Sequence, residues 1–213
     1  MQFQETIKAR HSTRFFEATP ISEDILQAIV EDATRAPSWV NAQEWQAWIL
    51  TGAALEGFRR EFSQKVKEKE AGGSEVPASS RERFSDVGRE NMRLFNAARE
   101  AAGLAKVKLE AQAELFHAPA VCFLTLPKTY TPYMLFDLGA FSQTLMLSAA
   151  DRGIGSVVAW NPVRYPETLR KYLPIPEGSA IAIAIALGYE KKCPLNDFRS
   201  SRRGTKEILR IVK

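Results

Sequence analysis

The chain is poor in the residues that most often announce a site. Its 213 residues include two cysteines, Cys122 and Cys193, and two histidines, His11 and His117. Two distant cysteines cannot build a disulfide scaffold, so a reducing, cytoplasmic setting is expected. Neither residue type falls into the paired spacing of a zinc site. There is no G-x-S-x-G elbow, which with so few histidines argues against a serine hydrolase. The G-x-x-x-x-G-K-[ST] phosphate loop is missing. Gly153-Ile154-Gly155 is followed by Val158 where a dinucleotide fingerprint needs a third glycine. No apolar run reaches the roughly 18–20 residues that cross a bilayer, and residues 1–10 lack the apolar stretch of a secretory signal.

What is present is an ordinary globular composition, 45% hydrophobic and 25% charged. Lysine and arginine number 29 against 25 acidic residues, a net charge of +4. The excess is dispersed, and the locally basic stretch 191–203 also holds Asp197. Without a basic stripe, neither nucleic acid nor a membrane is expected as a partner.

Helical and strand periodicities alternate along the chain. Ser22 is placed to cap a helix with Glu23 and Asp24 in its first turn and Ile25, Leu26, Ile29, Val30 and Ala33 on one face. Residues 45–51 and 118–126 read as strands, the second almost wholly apolar. Residues 53–69 read as a helix, and 81–102 as a charged amphipathic one. The segment 133–152 is apolar over more than one face, which suits a central helix or one packed on a second subunit. Residues 153–158 turn into a third strand, and 166–172 form a short helix. In 179–189 alanine and isoleucine alternate, predicting a strand with a small-residue face suited to close helix packing. The expected fold is a single α+β domain over 1–213, with a candidate active-site cover at 70–103 and an extended C-terminal arm at 190–213.

Three segments carry candidate chemistry. In an extended Arg10-His11-Ser12-Thr13-Arg14, the side chains of Arg10, Ser12 and Arg14 project from one side and suit a phosphate; the same residues could be cations at a helix C-terminus. Between a helix and a strand, Pro37-Ser38-Trp39-Val40-Asn41-Ala42-Gln43 offers amides and a hydroxyl to the edge of a planar heterocycle. It could equally be a plain connection whose flanking Trp39 and Trp45 fill the core. Phe198-Arg199-Ser200-Ser201-Arg202-Arg203 taken by itself reads as solvated charge.

Taken in order with Gly153-Ile154-Gly155-Ser156 and Leu187-Gly188-Tyr189, these segments resemble the FMN-dependent nitroreductase family over essentially the whole chain. The tail 196–202 is similar to its nitrobenzoate-reductase-like branch. The resemblance implies a central mixed, mainly antiparallel sheet flanked by helices, and an intimate homodimer with an exchanged C-terminal arm. It implies FMN as cofactor, NADH or NADPH as donor, and ping-pong reduction of a small planar acceptor, a nitroaromatic or quinone. Other flavin chemistry on the same fold, or FMN binding without turnover, stays open.

By that resemblance Arg10 and Ser12, in the segment that includes His11, would hold the FMN phosphate with Arg202 and either Arg199 or Arg203. Arg14 would lie near the N1/O2 edge of the isoalloxazine, where a cation favours the reduced cofactor. Asn41 would meet the pyrimidine edge, with Pro37, Ser38, Trp39 and Gln43 in the same loop and Ser38 and Trp39 reaching the ring from the other subunit. Gln143 would reach the ribityl chain, and the strand end Ala159-Trp160-Asn161 would bring backbone donors near N5 and O4. No side chain need act as acid or base. The family's Asn-x-Gln-Pro-Trp has Glu44 where proline is usual, which adds a negative charge near the pocket mouth.

Overall fold

The two most apolar strand stretches lie side by side at the centre of one sheet. In the computed structural model, which describes residues 2–213 apart from the side chains of Ala105, Lys108 and Leu109, these are β2 (Ala120–Pro127) and β4 (Ser179–Gly188). With β1 (Gln46–Thr51) and β3 (Gly155–Ala159) at the edges, the order is β1-β2-β4-β3. The three strand pairings are antiparallel, and the parallel component is an isolated bridge between Ser12 and Ser156.

The alternation along β4 changes face. Leu124 pairs with Ile183 but Thr125 pairs with Ile181, so Ala182 is the extra residue of a bulge. Ile181, Ala184 and Ala186 therefore face one core, and Ala182, Ile185 and Leu187 the other. The continuous alanine face predicted from sequence is thus split. Where Ala184 and Ala186 leave room, rings fill it: Phe58 and Phe62 of α3 (Gly52–Lys67), with Phe116 and Phe123. On the opposite face, Ile29 of α2 (Glu23–Ala33) and Leu138, Phe141 and Leu145 of α6 (Pro132–Asp151) close the second core. Ser22 stands at the start of α2 as predicted, although its hydroxyl makes no capping bond.

The N-terminal helix α1 (Phe3–Ala9) packs on α6, and the chain then runs along β3. Thr13 N–H donates to Ser156 O at 3.0 Å. A side chain at Gly155 would come within 2.6 Å of Thr13 Oγ1, so this close approach needs glycine.

The stretch predicted as one helix over 81–102 is two elements. A single 3-10 turn spans Arg81–Arg83, and α4 (Asp86–Ala101) starts afresh where Ser85 Oγ accepts from Gly88 N–H. That serine, with Asp86 in the first turn, supplies a helix start stronger than the continuity of the pattern. α5 (Ala105–Ala113) was not predicted. It runs into Leu115, Phe116 and His117, all with left-handed backbone and with Leu115 and Phe116 buried. The C-terminal region is not structureless: after α7 (Pro166–Arg170) and β4 it forms single turns α8 (Pro194–Asp197) and α9 (Thr205–Ile208). Beyond α8, Ile208, Leu209, Ile211 and Val212 are exposed.

Residues 70–76, expected within the cover, are fastened to the body. Glu75 pairs with Arg170 at 3.0 Å and accepts from Ile181 N–H, while Tyr165 Oη donates to Glu70 O. Among the described residues no helix is long and apolar enough to cross a membrane.

Candidate functional site: an arginine-lined cleft

α1 ends at Ala9 because Arg10 adopts extended backbone, and Ser12 then bridges to Ser156 of β3. The alternation predicted for this segment holds only in part, since Thr13 alone turns inward and His11 shares the partial exposure of its neighbours. Thr13 points inward and is fully buried, while Arg10, Ser12 and Arg14 border a cleft of about 400 Å³. Gln143 of α6 lines the same cleft, and the tail adds Arg199 and Arg202. His11 borders it too, but both its ring nitrogens have partners, Ala9 O at 2.8 Å and Glu190 Oε1 at 3.1 Å.

One buried asparagine holds the two basic segments together. Asn196 has no exposed surface; its Oδ1 accepts from Arg14 N–H at 2.6 Å, and its Nδ2 donates to Phe15 O and Lys191 O. Each polar atom of the side chain is satisfied, as burial requires.

The electrostatics of the cleft are one-sided. Arg14 donates to Ser12 O, Arg199 to Asn196 O, and Arg202 to Ser200 Oγ at 2.6 Å. Among the described residues none of Arg10, Arg14, Arg199 and Arg202 is ion-paired with a carboxylate. Burial lowers the pKa of Arg10 and the nearby Arg202 charge lowers it further; burial and then Arg99 do the same to Arg14. Fixed guanidinia that repel one another and lack acidic partners make a strong site for a multivalent anion. A phosphate monoester fits this donor set. Arg203 does not line the cleft: its Nε lies 3.5 Å from Glu207 Oε2, in an adjoining groove against α4 that shares Arg202 with the cleft.

Thr13 Oγ1 and Ser156 Oγ are buried without a hydrogen-bond partner. Both line a second, smaller cavity of about 230 Å³, together with Arg10, His11 and Glu190.

The loop after α2 is a built feature, not a plain connection. Pro37 follows the helix, Ser38 Oγ accepts from Gln43 N–H, and Gln43 Nε2 donates to Asn41 O. Val40, Asn41 and Gln43 all have positive φ, 46°, 59° and 51°. Asparagine tolerates that region and valine does not, so the loop holds backbone strain of the kind found at functional sites. Its anchor is Asp137, buried on α6, whose Oδ2 accepts from Trp39 N–H at 2.9 Å. Trp45 packs on Phe141 in the core, whereas Trp39 is 62% exposed beside Tyr133. The core-filling alternative therefore holds for one tryptophan and fails for the other. The Asn41 side chain makes no hydrogen bond among the described residues.

At the end of β3, Ala159 is buried, Trp160 Nε1 donates to Ser74 Oγ, and Asn161 opens a 3-10 turn, Asn161–Arg164. The structure thus unites Arg10, His11, Ser12, Arg14, Gln143, Arg199 and Arg202 in one cleft. Pro37–Gln43 and 159–161 are not part of that cavity. Three residues that matter to the arrangement escape sequence reasoning. Asp137 could have been noticed as a lone carboxylate in an apolar helix, and Arg99 by the asparagine three residues before it; Asn196 carries no such signal.

The Nitroreductase family model matches residues 7–189. Among curated relatives, 4-nitrobenzoate reductase of Pseudomonas putida is 25% identical, covering 94% of this chain and 91% of the relative. Nitroreductase NfnB of Mycolicibacterium smegmatis is 26% identical, covering 99% and 92%. The crystal structure of the FMN-dependent nitroreductase NfnB from Mycobacterium smegmatis in complex with NADPH superposes with a TM-score of 0.91 at 26% identity, over 100% of this chain and 99% of that one.

Proposed function

The chain belongs to the nitroreductase family, and we propose that it is an FMN-dependent oxidoreductase that reduces nitroaromatics or quinones with NADH or NADPH. The observation that carries this reading is the cleft of arginines without acidic partners, in a chain similar to an FMN-dependent nitroreductase solved in complex with NADPH. Arg10, Ser12, Arg199 and Arg202 would hold the cofactor phosphate, and Gln143 the ribityl chain. Arg14 would set a positive charge at the pyrimidine end, with Asn41 and Gln43 as polar partners at that edge. FMN, when bound, supplies the atom that takes hydride from the nicotinamide and passes it to the acceptor, in a ping-pong sequence.

The protein's own part is to bind, orient and exclude water. Rigidity of the anion anchor comes from Asn196, and of the loop from Asp137. We place a small planar acceptor above the cofactor, with the span 77–103 as the cover, since 70–76 is fastened to the body. A homodimer is supported by unpartnered apolar surface: Phe136 is 73% and Val212 94% exposed, and Trp39 and Tyr133 are exposed as well. In such a dimer the loop of one subunit would close the cleft of the other.

The reading is tested by purifying the protein with FMN and mixing it anaerobically with NADH or NADPH. The yellow colour should bleach, and 4-nitrobenzoate or a quinone should restore it, with parallel double-reciprocal plots. A protein that takes up no FMN, or whose FMN neither nucleotide bleaches, would refute it.

A further inference from the structure

We propose that Arg99 of α4 is a positioning residue that couples the docking of this helix to the charge held in the cleft. Resting on the FMN reading above, the proposal gives α4 a defined part in binding, because the helix settles when an anion offsets the like charges of Arg14 and Arg99.

The geometry is specific. Arg14, Arg99, Leu104, Leu195 and Phe198 line one small pocket with no free volume for water. Arg99 Nε is buried there without a hydrogen-bond partner, and its guanidinium carbon lies 5.2 Å from the centre of the Phe95 ring. Phe95 in turn meets Phe198 edge-on at 5.9 Å, in the tail segment that supplies Arg199 and Arg202. The other arginines of the helix differ. Arg89 pairs with Asp86 and Arg93 with Glu90, each three residues earlier, whereas the residue three before Arg99 is Asn96.

Arg99 is partly exposed and stacks on Phe95, yet among the described residues no carboxylate pairs with it. Arg99 instead faces a second guanidinium, and burial together with the Arg99 charge lowers the pKa of Arg14. No residue of α4 is buried, so little apolar packing opposes this repulsion. An anion bound by Arg10, Ser12, Arg14, Arg199 and Arg202 lowers the positive potential that Arg99 feels, and α4 then packs at less cost. Linkage makes the effect reciprocal: the factor by which FMN tightens α4 is the factor by which docked α4 tightens FMN.

The test compares the full-length wild type with Arg99→Gln and Arg99→Lys, with and without FMN. Amide exchange over 86–101 reads helix docking, and quenching of flavin fluorescence reads affinity. In wild type, FMN should slow exchange about five- to tenfold. In Arg99→Gln the slowing should shrink to below about twofold and the FMN Kd should rise by the same factor, with Arg99→Lys restoring most of both. If Arg99→Gln speeds exchange equally with and without FMN, or leaves FMN affinity unchanged, the coupling is overturned. If the wild type takes up no FMN, the functional reading fails by itself. The same exchange measurement with inorganic phosphate then decides the coupling: slowing in wild type and none in Arg99→Gln upholds it, and equal behaviour overturns it.

Discussion

Replacing Arg10 with glutamine should move two quantities in opposite directions. The Arg10 guanidinium is half-buried, has no carboxylate partner and sits near Arg202, and both burial and that neighbour lower its pKa. A base whose folded pKa is depressed costs stability wherever it is protonated, and the cost lifts only as pH rises through that folded value. Arginine titrates far above neutrality, so between about pH 5 and 9 the cost is constant. Removing the charge from the flavin-free protein should therefore stabilise it. Because the group is only half-buried and solvent screens it, the gain is less than about 1 kcal/mol. For a chain of this length that corresponds to a Tm higher by about 1–3 °C. FMN binding should suffer at the same time, by one charge-assisted hydrogen bond of about 1.5–3 kcal/mol. That is roughly a ten- to hundredfold rise in Kd. Calorimetry on the flavin-stripped protein and a fluorescence titration with FMN measure the two effects on one preparation. A Tm that falls by several degrees would mean that Arg10 serves the fold, and an unchanged Kd would remove it from the anion site.

Arg14→Gln should lower the two-electron midpoint potential of the bound flavin by about 30–60 mV, while Arg14→Lys retains most of it; an unchanged spectroelectrochemical midpoint in the glutamine variant would contradict the placement of Arg14. Glu75→Gln strips Arg170 and Lys128 of their carboxylate, with Arg170 and Glu75 both mostly buried, and should cost about 2–4 kcal/mol in urea unfolding and open 70–76 to proteolysis. Dilution that splits the proposed dimer should release FMN in parallel, and light scattering that finds a monomer still carrying its flavin would separate the two.

The arginine segment was legible in part: Arg10 ends α1 with extended backbone and Thr13 turns inward, but His11 joins the cleft that simple alternation would have kept it from. β4 was misread for a local reason. A bulge at Ala182 leaves no mark in an alternating sequence, since alanine and isoleucine are acceptable on either face of a fully buried strand. The broken helix at 81–102 was signalled by Ser85 and Asp86, a start motif hidden inside a continuous charged pattern. Asn196 was invisible because its role depends on pairing with residues about 180 positions away, which no local pattern encodes. Arg99 looked like one more surface charge; the missing carboxylate at position 96 was the trace that set it apart from Arg89 and Arg93.

α6 explains how one apolar helix serves both the core and the site. Leu138, Phe141 and Leu145 bury one side against the sheet, and the buried Asp137 near its start anchors the strained loop that ends at Gln43. Gln143 lies six residues further on, about 9 Å along the axis, and lines the arginine cleft on the exposed side. Tyr133, Phe136, Gly139 and Gln143 recur at helical spacing on that exposed side, and Gly139 has no heavy atom within 4 Å of where a side chain would begin. In the proposed dimer that gap permits close approach of another backbone, and each large apolar side chain covered there would contribute about 1.5–3 kcal/mol. Phe136, Tyr133, Trp39 and Val212 together then offer roughly 6–12 kcal/mol, comparable to the 4–15 kcal/mol that association costs. On that balance these four side chains alone would only roughly offset association, and in the proposed dimer an anion bound at the cleft would be part of what holds two copies together.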